Sequence, residues 1–272
     1  MTADGGLRLE CDGPVATVTL DRPTVLNAQT PAMWRALRAF ARELPGTVRV
    51  VVVRGEGRAF SSGLDRSVLG ALTGRGHAAG DAPPASEDSP SGDTIADLVR
   101  LSPDQCADRI GEFQEAFTWL HRPDLISIAA VQGYAIGAGF QLALACDLRV
   151  VADDAQFAMA EVTLGLVPDL GGTKRLVDLV GYARALEICA TGRRIDAAEA
   201  ERLGLANIVV PRRDLDAATR DLTAALLAGD RDAVIEIKAL LSGAARRSYA
   251  EQLRAEREAQ VRRLRDLAGL GE

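Results

Sequence analysis

The sequence predicts an α/β fold, and three observations support this prediction. Strand-like and helix-like segments alternate through the first part of the chain. The run VRVVVVRG, from Val48 to Gly55, is β-branched and apolar at successive positions, which is typical of a strand buried on both faces. From Leu215 onward the pattern is almost purely helical. We therefore expect an αβ core followed by a helical C-terminal region.

The first elements follow from local patterns. LRLE and PVATVTL predict a β-hairpin over Gly13 and Pro14. Thr30 is suited to cap a helix that Pro31 opens. The apolar residues of this helix recur at intervals of three and four: Met33, Trp34, Leu37, Phe40, Ala41 and Leu44.

The middle of the chain contains a long segment without apolar periodicity, GALTGRGHAAGDAPPASEDSPSGD, which covers residues 70–93. Its Gly, Ala, Pro, Ser and Asp content predicts a flexible loop that could serve as a lid. A helix follows, with its apolar side at Ile110, Phe113, Phe117 and Leu120. LISIAAVQG then predicts a buried strand.

The segment DLRVVA predicts a further strand. Asp196 and Glu199 predict a capping box at the start of a helix, and Gly204 predicts the end of that helix before the strand LANIVV. A charge-rich helix ends the chain. The domain prediction is one core over residues 1–211, with the flexible insert at about 70–93. A helical region over residues 212–272 would join subunits or cover a pocket.

Composition limits the function classes. The chain has 272 residues, 47% of them hydrophobic and 26% charged, which suits one sizeable globular core. A net charge of -6 offers no basic surface for nucleic acid. We see neither a signal peptide nor an apolar run of membrane-spanning length, so we expect a cytoplasmic protein without a membrane partner.

Metal and disulfide chemistry are not expected. Only two histidines are present, His77 in a Gly-rich stretch and His121 before Arg-Pro, so a His-based triad or a zinc site would be hard to build. The cysteines are far apart and mostly in apolar contexts, which predicts reduced core thiols: Cys11, Cys106, Cys146 and Cys189.

Two turns of small residues could present backbone N–H groups to a ligand. In AFSSGLD, which follows the predicted strand, the amides of Ser62 and Gly63 are candidates, although an ordinary turn has the same composition. In IGAG, ahead of an apolar helix, the amide of Ala138 lies at a positive helix end. If the Ser62 and Ala138 amides converge, they form an oxyanion hole. Alternatively, the glycines only permit close packing.

Two acids stand in the apolar segment FAMAEVTLGLVPDLGG. Apolar surroundings raise the pKa of a carboxyl group, which suits a group that must take and return a proton. Glu161 is therefore a candidate base, or else a helix-start or salt-bridged acid. Asp169 is a second candidate, or else the N-cap of a helix that begins near Gly172.

Together, these segments resemble the enoyl-CoA hydratase/isomerase family, also called the crotonase superfamily. The resemblance extends in order from about Leu7 to Pro211, apart from the long loop. The matching pieces are RPTVLNAQ, AFSSGLD, IAAVQGYAIGAGFQLALACDLRVVADDAQFAMAEVTLGLVPDLGGTKRL and ATGRRIDAAEAERLGLANIVVP.

The resemblance implies a crotonase-like spiral of ββα units, assembled as a homotrimer or a dimer of trimers. It implies an acyl-CoA substrate and no separate cofactor, since coenzyme A is part of the substrate. The thioester oxygen would lie between the Ser62 and Ala138 amides. The expected CoA-binding residues are Arg22, Ala59, Ser61, Gly63 and Asp65.

The resemblance also exposes a departure at Gln141. Hydratases of this family carry two glutamates that hold and activate a water; the second matches Glu161, whereas the first falls at Gln141. An amide can orient water but cannot accept a proton at physiological pH.

Enoyl-CoA isomerases of this family keep a glutamate at the place of Glu161 to remove and return a proton, and dienoyl-CoA isomerases use two acids at the positions of Glu161 and Asp169. The resemblance therefore implies double-bond isomerisation as the leading prediction, with Glu161 as the proton shuttle, Asp169 as its partner and Gln141 nearby. The alternatives are weak or Gln141-assisted enoyl-CoA hydration, and a non-catalytic acyl-CoA binding protein.

Overall fold

The computed structural model describes residues 2–3, 5–69 and 94–271. The predicted flexible insert at about 70–93 lies outside the described residues.

The strands form two sheets. In chain order they are β1 Thr2–Ala3, β2 Leu7–Asp12, β3 Val15–Leu20, β4 Val50–Gly55, β5 Ile126–Val131, β6 Tyr134–Ile136, β7 Leu148–Ala152, β8 Gln156–Ala158, β9 Ile195–Asp196 and β10 Ile208–Val210. The larger sheet has the order β1-β2-β3-β4-β5-β7-β10. It is antiparallel from β1 to β3 and parallel from β3 to β10. The smaller sheet, β6-β8-β9, lies where the chain leaves β5 and β7.

The helices follow the expected distribution. They are α1 Pro31–Glu43, α2 Arg66–Leu69, α3 Ile95–Arg100, α4 Pro103–Thr118, α5 Ala138–Ala145, α6 Gly172–Val180, α7 Tyr182–Thr191, α8 Ala197–Arg202, α9 Leu215–Ala228, α10 Arg231–Ala244 and α11 Tyr249–Leu267. After Leu215 the described chain is helix and short connections, as predicted.

The larger sheet is covered on both faces, which explains the β-branched run in β4. Val51 and Val53 face the core that α1, α4 and α5 complete. Val50 and Val52 face the other way, into a second apolar cluster closed by α9. Because both faces of the strand are buried, its sequence does not alternate between apolar and polar residues.

Helix α1 starts as its sequence predicts. The Thr30 hydroxyl accepts a hydrogen bond from the Met33 amide at 3.3 Å, and Pro31 occupies the first turn. Trp34 packs against Phe113 and Phe117 of α4, with ring centroids 5.1 and 6.0 Å apart. The two helices thereby form one layer against the sheet.

The predicted capping box at α8 forms only in part. The Asp196 carboxylate accepts from the Glu199 amide at 2.7 Å. The Glu199 carboxylate, however, accepts two hydrogen bonds from Arg193, whose guanidinium also pairs with Glu187. In a complete capping box the Glu199 carboxylate would accept from the Asp196 amide. Here it binds the Arg193 guanidinium instead.

The cysteines are free thiols, but they are not all in the core. Cys146 is buried, Cys106 and Cys189 are half-buried, and Cys11 is exposed near the end of β2. Cys11 therefore corrects the prediction of core thiols, because the last three residues of β2 are exposed. Among the described residues, no helix combines the length and apolar character needed to cross a membrane.

Candidate active site

The site is built around the start of α5. The chain passes from β6 through Gly137, which has a φ of 51°, into a helix whose residues are all buried. The Gly137 amide donates to the Ala158 carbonyl at 2.8 Å and fixes this turn to β8. Ala138 is the first helical residue, so its N–H has no acceptor within the helix and lies at the positive end of the helix dipole.

The turn over Ser61 to Asp65 packs directly on this helix start. The Ser61 amide donates to Tyr134 O at 2.7 Å, and Ser61 O accepts from the Ile136 amide at 3.0 Å. Gly63 has a φ of 92°, and a Cβ there would lie 2.6 Å from Ile136 O and 3.6 Å from Ala138 N. Only glycine allows this approach, which brings the next peptide group close to the Ala138 amide.

Leu64, rather than Ser62, carries the free amide of this turn. The Ser62 N–H donates to the Leu26 carbonyl at 2.8 Å, so in this structure it is already used. Leu64 forms a parallel bridge with Gln29, in which Gln29 donates to Gly63 O and Asp65 donates to Gln29 O. The Leu64 N–H therefore points away from Gln29, and within the described residues it donates to no acceptor.

The Ser62 prediction is corrected accordingly. A turn of small residues indicates that amides are exposed, but not which of them. Which amide is free depends on the position of the Leu26 carbonyl. Leu26 and Asn27 have left-handed backbone conformations, and the turn they form directs this carbonyl to Ser62. The sequence contains no signal that separates residues 62 and 64, because Gly63, with a φ of 92°, interrupts the regular alternation of N–H directions between them.

Glu161 and Gln141 meet beside this helix start. Glu161 opens a single 3-10 turn, Glu161–Leu164, that follows β8. Its Oε1 accepts a hydrogen bond from Gln141 Nε2 at 2.7 Å. A Cβ at Gly137 would lie 3.3 Å from the same oxygen, so the carboxylate rests against the residue before Ala138. The structure thus brings together the Glu161, Gln141 and Ala138 of the prediction.

Gln141 has a fixed orientation. Its Oε1 accepts from the Leu170 amide at 2.9 Å and from the Gly172 amide at 3.3 Å. Since backbone amides only donate, the oxygen must face them and the NH₂ group must face Glu161. The side chain is 1% exposed. Its oxygen therefore has no capacity left to orient a water by accepting from it.

The second oxygen of Glu161 is buried and unpaired within the described residues. Burial raises the pKa of this carboxyl above the ordinary glutamic acid value. The hydrogen bonds from its own backbone amide and from Gln141 oppose the shift, and the charge of Asp169 adds to it. Glu161 is therefore a carboxyl with one fixed oxygen and one oxygen available to a proton.

Asp169 stands in the turn before α6 and is an exposed residue. Desolvation raises its pKa. It does not cap α6, because Gly171 occupies the N-cap position and no side chain caps the helix. The alternative capping interpretation is thus wrong. Its backbone carbonyl accepts from the Gln114 side chain at 2.7 Å, a contact that the sequence did not suggest.

The residues expected to contact coenzyme A have mixed roles. Arg22 donates to Asp65 Oδ2 and to the Ala28 carbonyl, each at 2.7 Å, so its charge is partly neutralised. The pKa of Asp65 is lowered, because hydrogen bonds from Ser67 and Arg22 outweigh its partial burial. The Ser61 hydroxyl is buried and bonded to Asn27 O and Gln29. Ala59 is buried and its carbonyl accepts from Asn27.

A separate groove of about 1400 Å³ lies between β2, β3, α1 and α9. None of the predicted site residues lines it. Its size therefore carries no information about the chemistry at Glu161.

Comparisons with known proteins identify the family of the chain. A family model described as "Enoyl-CoA hydratase/isomerase" matches residues 90–266. The "Probable enoyl-CoA hydratase echA8" of Mycobacterium bovis is 34% identical over 209 residues, which cover 76% of this chain and 69% of the relative. The "Carnitinyl-CoA dehydratase" of Salmonella arizonae is 37% identical over 236 residues, 85% of this chain and 78% of the relative.

A Thermobifida fusca protein, named provisionally as an enoyl-CoA hydratase, is similar over nearly the whole chain. Its structure in complex with CoA has 47% sequence identity and a TM-score of 0.84, and the match covers 97% of this chain and 95% of that one. Its complex with acetoacetyl-CoA has 46% identity and a TM-score of 0.85, with 96% of each chain covered. These likenesses confirm the fold class that the sequence predicts.

Proposed function

Since the chain belongs to the enoyl-CoA hydratase/isomerase family, we propose that this acyl-CoA enzyme shifts a carbon–carbon double bond, with Glu161 as the proton shuttle. The observation that carries the proposal is the state of the Glu161 carboxylate. One of its oxygens is fixed by Gln141, while the other is buried without a partner among the described residues. The carboxyl group is therefore held in one orientation, and burial raises its pKa. Its second oxygen is free to exchange a proton.

The oxyanion hole of the proposal consists of the Leu64 and Ala138 amides. The thioester oxygen would accept from both, and the positive end of α5 would stabilise the negative charge that develops on it. The closeness of Gly63 to Ala138 N supports this arrangement. The Ser62 amide is left out because it donates to Leu26.

The proposed reaction has two proton transfers. Glu161 removes a proton from the carbon next to the thioester carbonyl of a 3-enoyl thioester, and the electron pair spreads over the carbonyl oxygen and the double bond. The same carboxyl returns the proton at the far end of the allylic system. No atom is gained or lost, and the double bond has moved by one position.

Asp169 is proposed as a second acid for substrates with a longer conjugated system. Its charge already acts on Glu161, and its pKa is raised by its surroundings. It would donate or accept the proton at the end of a dienoyl chain that Glu161 does not reach.

Hydration is the second candidate function, and the names of the hydratase and dehydratase relatives favour it. Against it stands Gln141, which cannot accept a proton and whose oxygen is occupied by Leu170 and Gly172. A binding protein without activity is a third candidate, which the buried and unpaired Glu161 oxygen disfavours.

The test is a panel of 2-enoyl, 3-enoyl and dienoyl thioesters with the purified protein and its Glu161→Gln variant. We expect double-bond transfer without a hydrated product, and a loss of about 10²- to 10⁴-fold in kcat for Glu161→Gln. Hydration of the 2-enoyl thioester at a rate equal to isomerisation would overturn the proposal. Full turnover by Glu161→Gln would do so as well.

The ligand and assembly proposals complete this function. The Thermobifida fusca complexes with CoA and acetoacetyl-CoA support an acyl-CoA ligand here. We propose that Arg22 and Asp65 lie near its nucleotide end, that no separate cofactor is needed and that the protein is cytoplasmic. A homotrimer or dimer of trimers is proposed, because several large apolar side chains of α10 and α11 are exposed in the single chain.

A further inference from the structure

The peptide group between Asp169 and Leu170 is held from both ends by glutamine side chains. The Asp169 carbonyl accepts from Gln114 at 2.7 Å. The Leu170 amide donates to Gln141 Oε1 at 2.9 Å. The two glutamines come from different helices, α4 and α5, and meet on one peptide unit.

Secondary structure alone does not explain these contacts. Gln114 is a half-buried residue about one turn before the C-terminal end of α4, and Gln141 is buried within α5. The turn they hold leads into α6, which starts at Gly172 and has Gly171 at its N-cap without a side-chain cap. The side chain that the turn carries is Asp169, whose charge acts on Glu161.

We infer that Gln114 and Gln141 are positioning residues, which together clamp the Asp169–Leu170 peptide and set how far the Asp169 carboxylate lies from Glu161. This inference rests on the proposed proton shuttle for its meaning in catalysis. Gln141 has a second task, because its NH₂ group also fixes Glu161. Among the described residues, the Gln114 side chain hydrogen-bonds to the turn and not to Glu161.

Substitutions of the two glutamines should therefore shift the pKa of Glu161 in opposite directions. Gln141→Leu removes a hydrogen bond to the carboxylate, so the pKa of Glu161 should rise. Gln114→Ala lets the turn move Asp169 away, so the pKa of Glu161 should fall as the like charge recedes. The titratable groups that act with Glu161 are Asp169 before α6 and Cys189 on α7.

Gln141→Glu separates the two tasks of Gln141. A carboxylate can still accept from the Leu170 and Gly172 amides, so the turn stays in place. It cannot donate to Glu161 unless the pair shares a proton, so the pKa of Glu161 should rise further. This variant also covers the case in which the apolar Gln141→Leu protein does not fold.

The experiment is a carboxyl ¹³C NMR titration of the full chain, with the Glu161 resonance assigned by its loss in Glu161→Gln. It needs no turnover, so it separates this inference from the proposed function. Thr118→Ala, an exposed change on the same helix as Gln114, is the matched control and should leave the titration unchanged. In parallel, Gln114→Ala should lower kcat for the isomerised thioester about 10- to 100-fold with little change in KM.

Opposite shifts for Gln114→Ala and Gln141→Glu support the clamp, even if the thioester panel shows no isomerisation. A Glu161 titration that is the same in Gln114→Ala as in the wild type overturns it. So does a drop in kcat for Thr118→Ala equal to that for Gln114→Ala.

Discussion

At the residue scale, the direction of a single N–H group decides which position of AFSSGLD faces a substrate. Ser62 and Leu64 are two residues apart in the same turn, yet the Ser62 amide donates to Leu26 while the Leu64 amide is free among the described residues. The N–H group belongs to the backbone, so a substitution of the Leu64 side chain would leave this donor in place. Such a substitution would not test the role of the N–H group.

Replacing the Leu64 amide by an ester, through incorporation of the α-hydroxy acid analogue of leucine, removes the N–H and weakens the Gly63 carbonyl as the acceptor of the Gln29 amide. We expect kcat to fall about 10²- to 10³-fold. Stability should fall by no more than about 1 kcal/mol, from the weakened Gly63 acceptor, because the lost N–H has no acceptor among the described residues. The ester at position 62 is the control: it removes the bond to Leu26 and should cost about 1 kcal/mol of stability. If that ester instead abolishes turnover in a fully folded protein, the assignment to Leu64 is wrong.

The raised pKa of Glu161 predicts a pH dependence of both rate and stability. The carboxylate is the base, so kcat/KM should fall as the pH drops through a pKa that lies above the ordinary glutamic acid value. The folded protein binds this proton more readily than the unfolded chain. Lowering the pH from neutral into this range should therefore stabilise the wild type relative to Glu161→Gln.

Denaturant unfolding of both proteins across this pH range measures the effect. At neutral pH, where the ionised carboxylate is buried at a cost, the Glu161→Gln variant should be at least as stable as the wild type. A variant that is less stable at neutral pH and equal in acid would contradict the sign of this prediction.

At the element scale, helix α10 is attached to the sheet by a buried lysine. Lys238 is 7% exposed, and its ammonium group donates to Leu125 O and to Asp147 Oδ2, each at 2.7 Å. The Asp147 carboxylate also accepts from the amide and hydroxyl of Ser127 on β5. Lys238 thus satisfies a carboxylate at the edge of the core.

Lys238→Met should destabilise the protein by about 3 kcal/mol, because it leaves the Asp147 charge without its cation. Chemical denaturation gives this value. Lys174→Met is the matched control, since Lys174 pairs with Asp178 on the exposed side of α6 and should contribute less than about 1 kcal/mol. Equal losses in the two variants would show that the buried pair has no special role.

The elements themselves were largely predictable from sequence, and the exceptions have local causes. The α1 cap at Thr30 and the β4 run were predicted because neighbouring residues decide them. The α8 capping box was predicted in full and forms in half, because Arg193 competes for Glu199. The bond from Gln114 to Asp169 spans 55 residues, and no local pattern could indicate it.

At the scale of the whole molecule, the C-terminal helices present apolar side chains without partners in the described chain. On α10 and α11 the exposed ones are Ile237, Leu241, Tyr249, Leu253, Val261, Leu264 and Leu267. The sequence predicted that this region joins subunits or covers a pocket. The exposure of these side chains supports the proposed homotrimer, in which they would be buried.

Leu241→Glu tests the assembly. Leu241 is 71% exposed in the single chain, and a carboxylate there would be desolvated in an interface. We expect the subunit dissociation constant to rise about 100-fold or more, measured by light scattering over a dilution series. Val99→Glu, at a 67% exposed position on α3, should leave the molecular mass unchanged. A monomeric wild type, or an intact trimer of the Leu241→Glu variant, would contradict the proposal.

Cys189 is half-buried on α7, and the alkylation rate of its thiol should report the charge of Glu161 in the absence of any substrate. Burial and the Glu161 charge together raise the pKa of this thiol. The thiolate is the form that reacts with an alkylating reagent. At a fixed alkaline pH, the Glu161→Gln substitution should therefore speed the alkylation of Cys189. The exposed Cys11 should react at the same rate in both proteins and serves as the internal control. The protein thus contains its own chemical probe of the ionisation on which its proposed reaction depends.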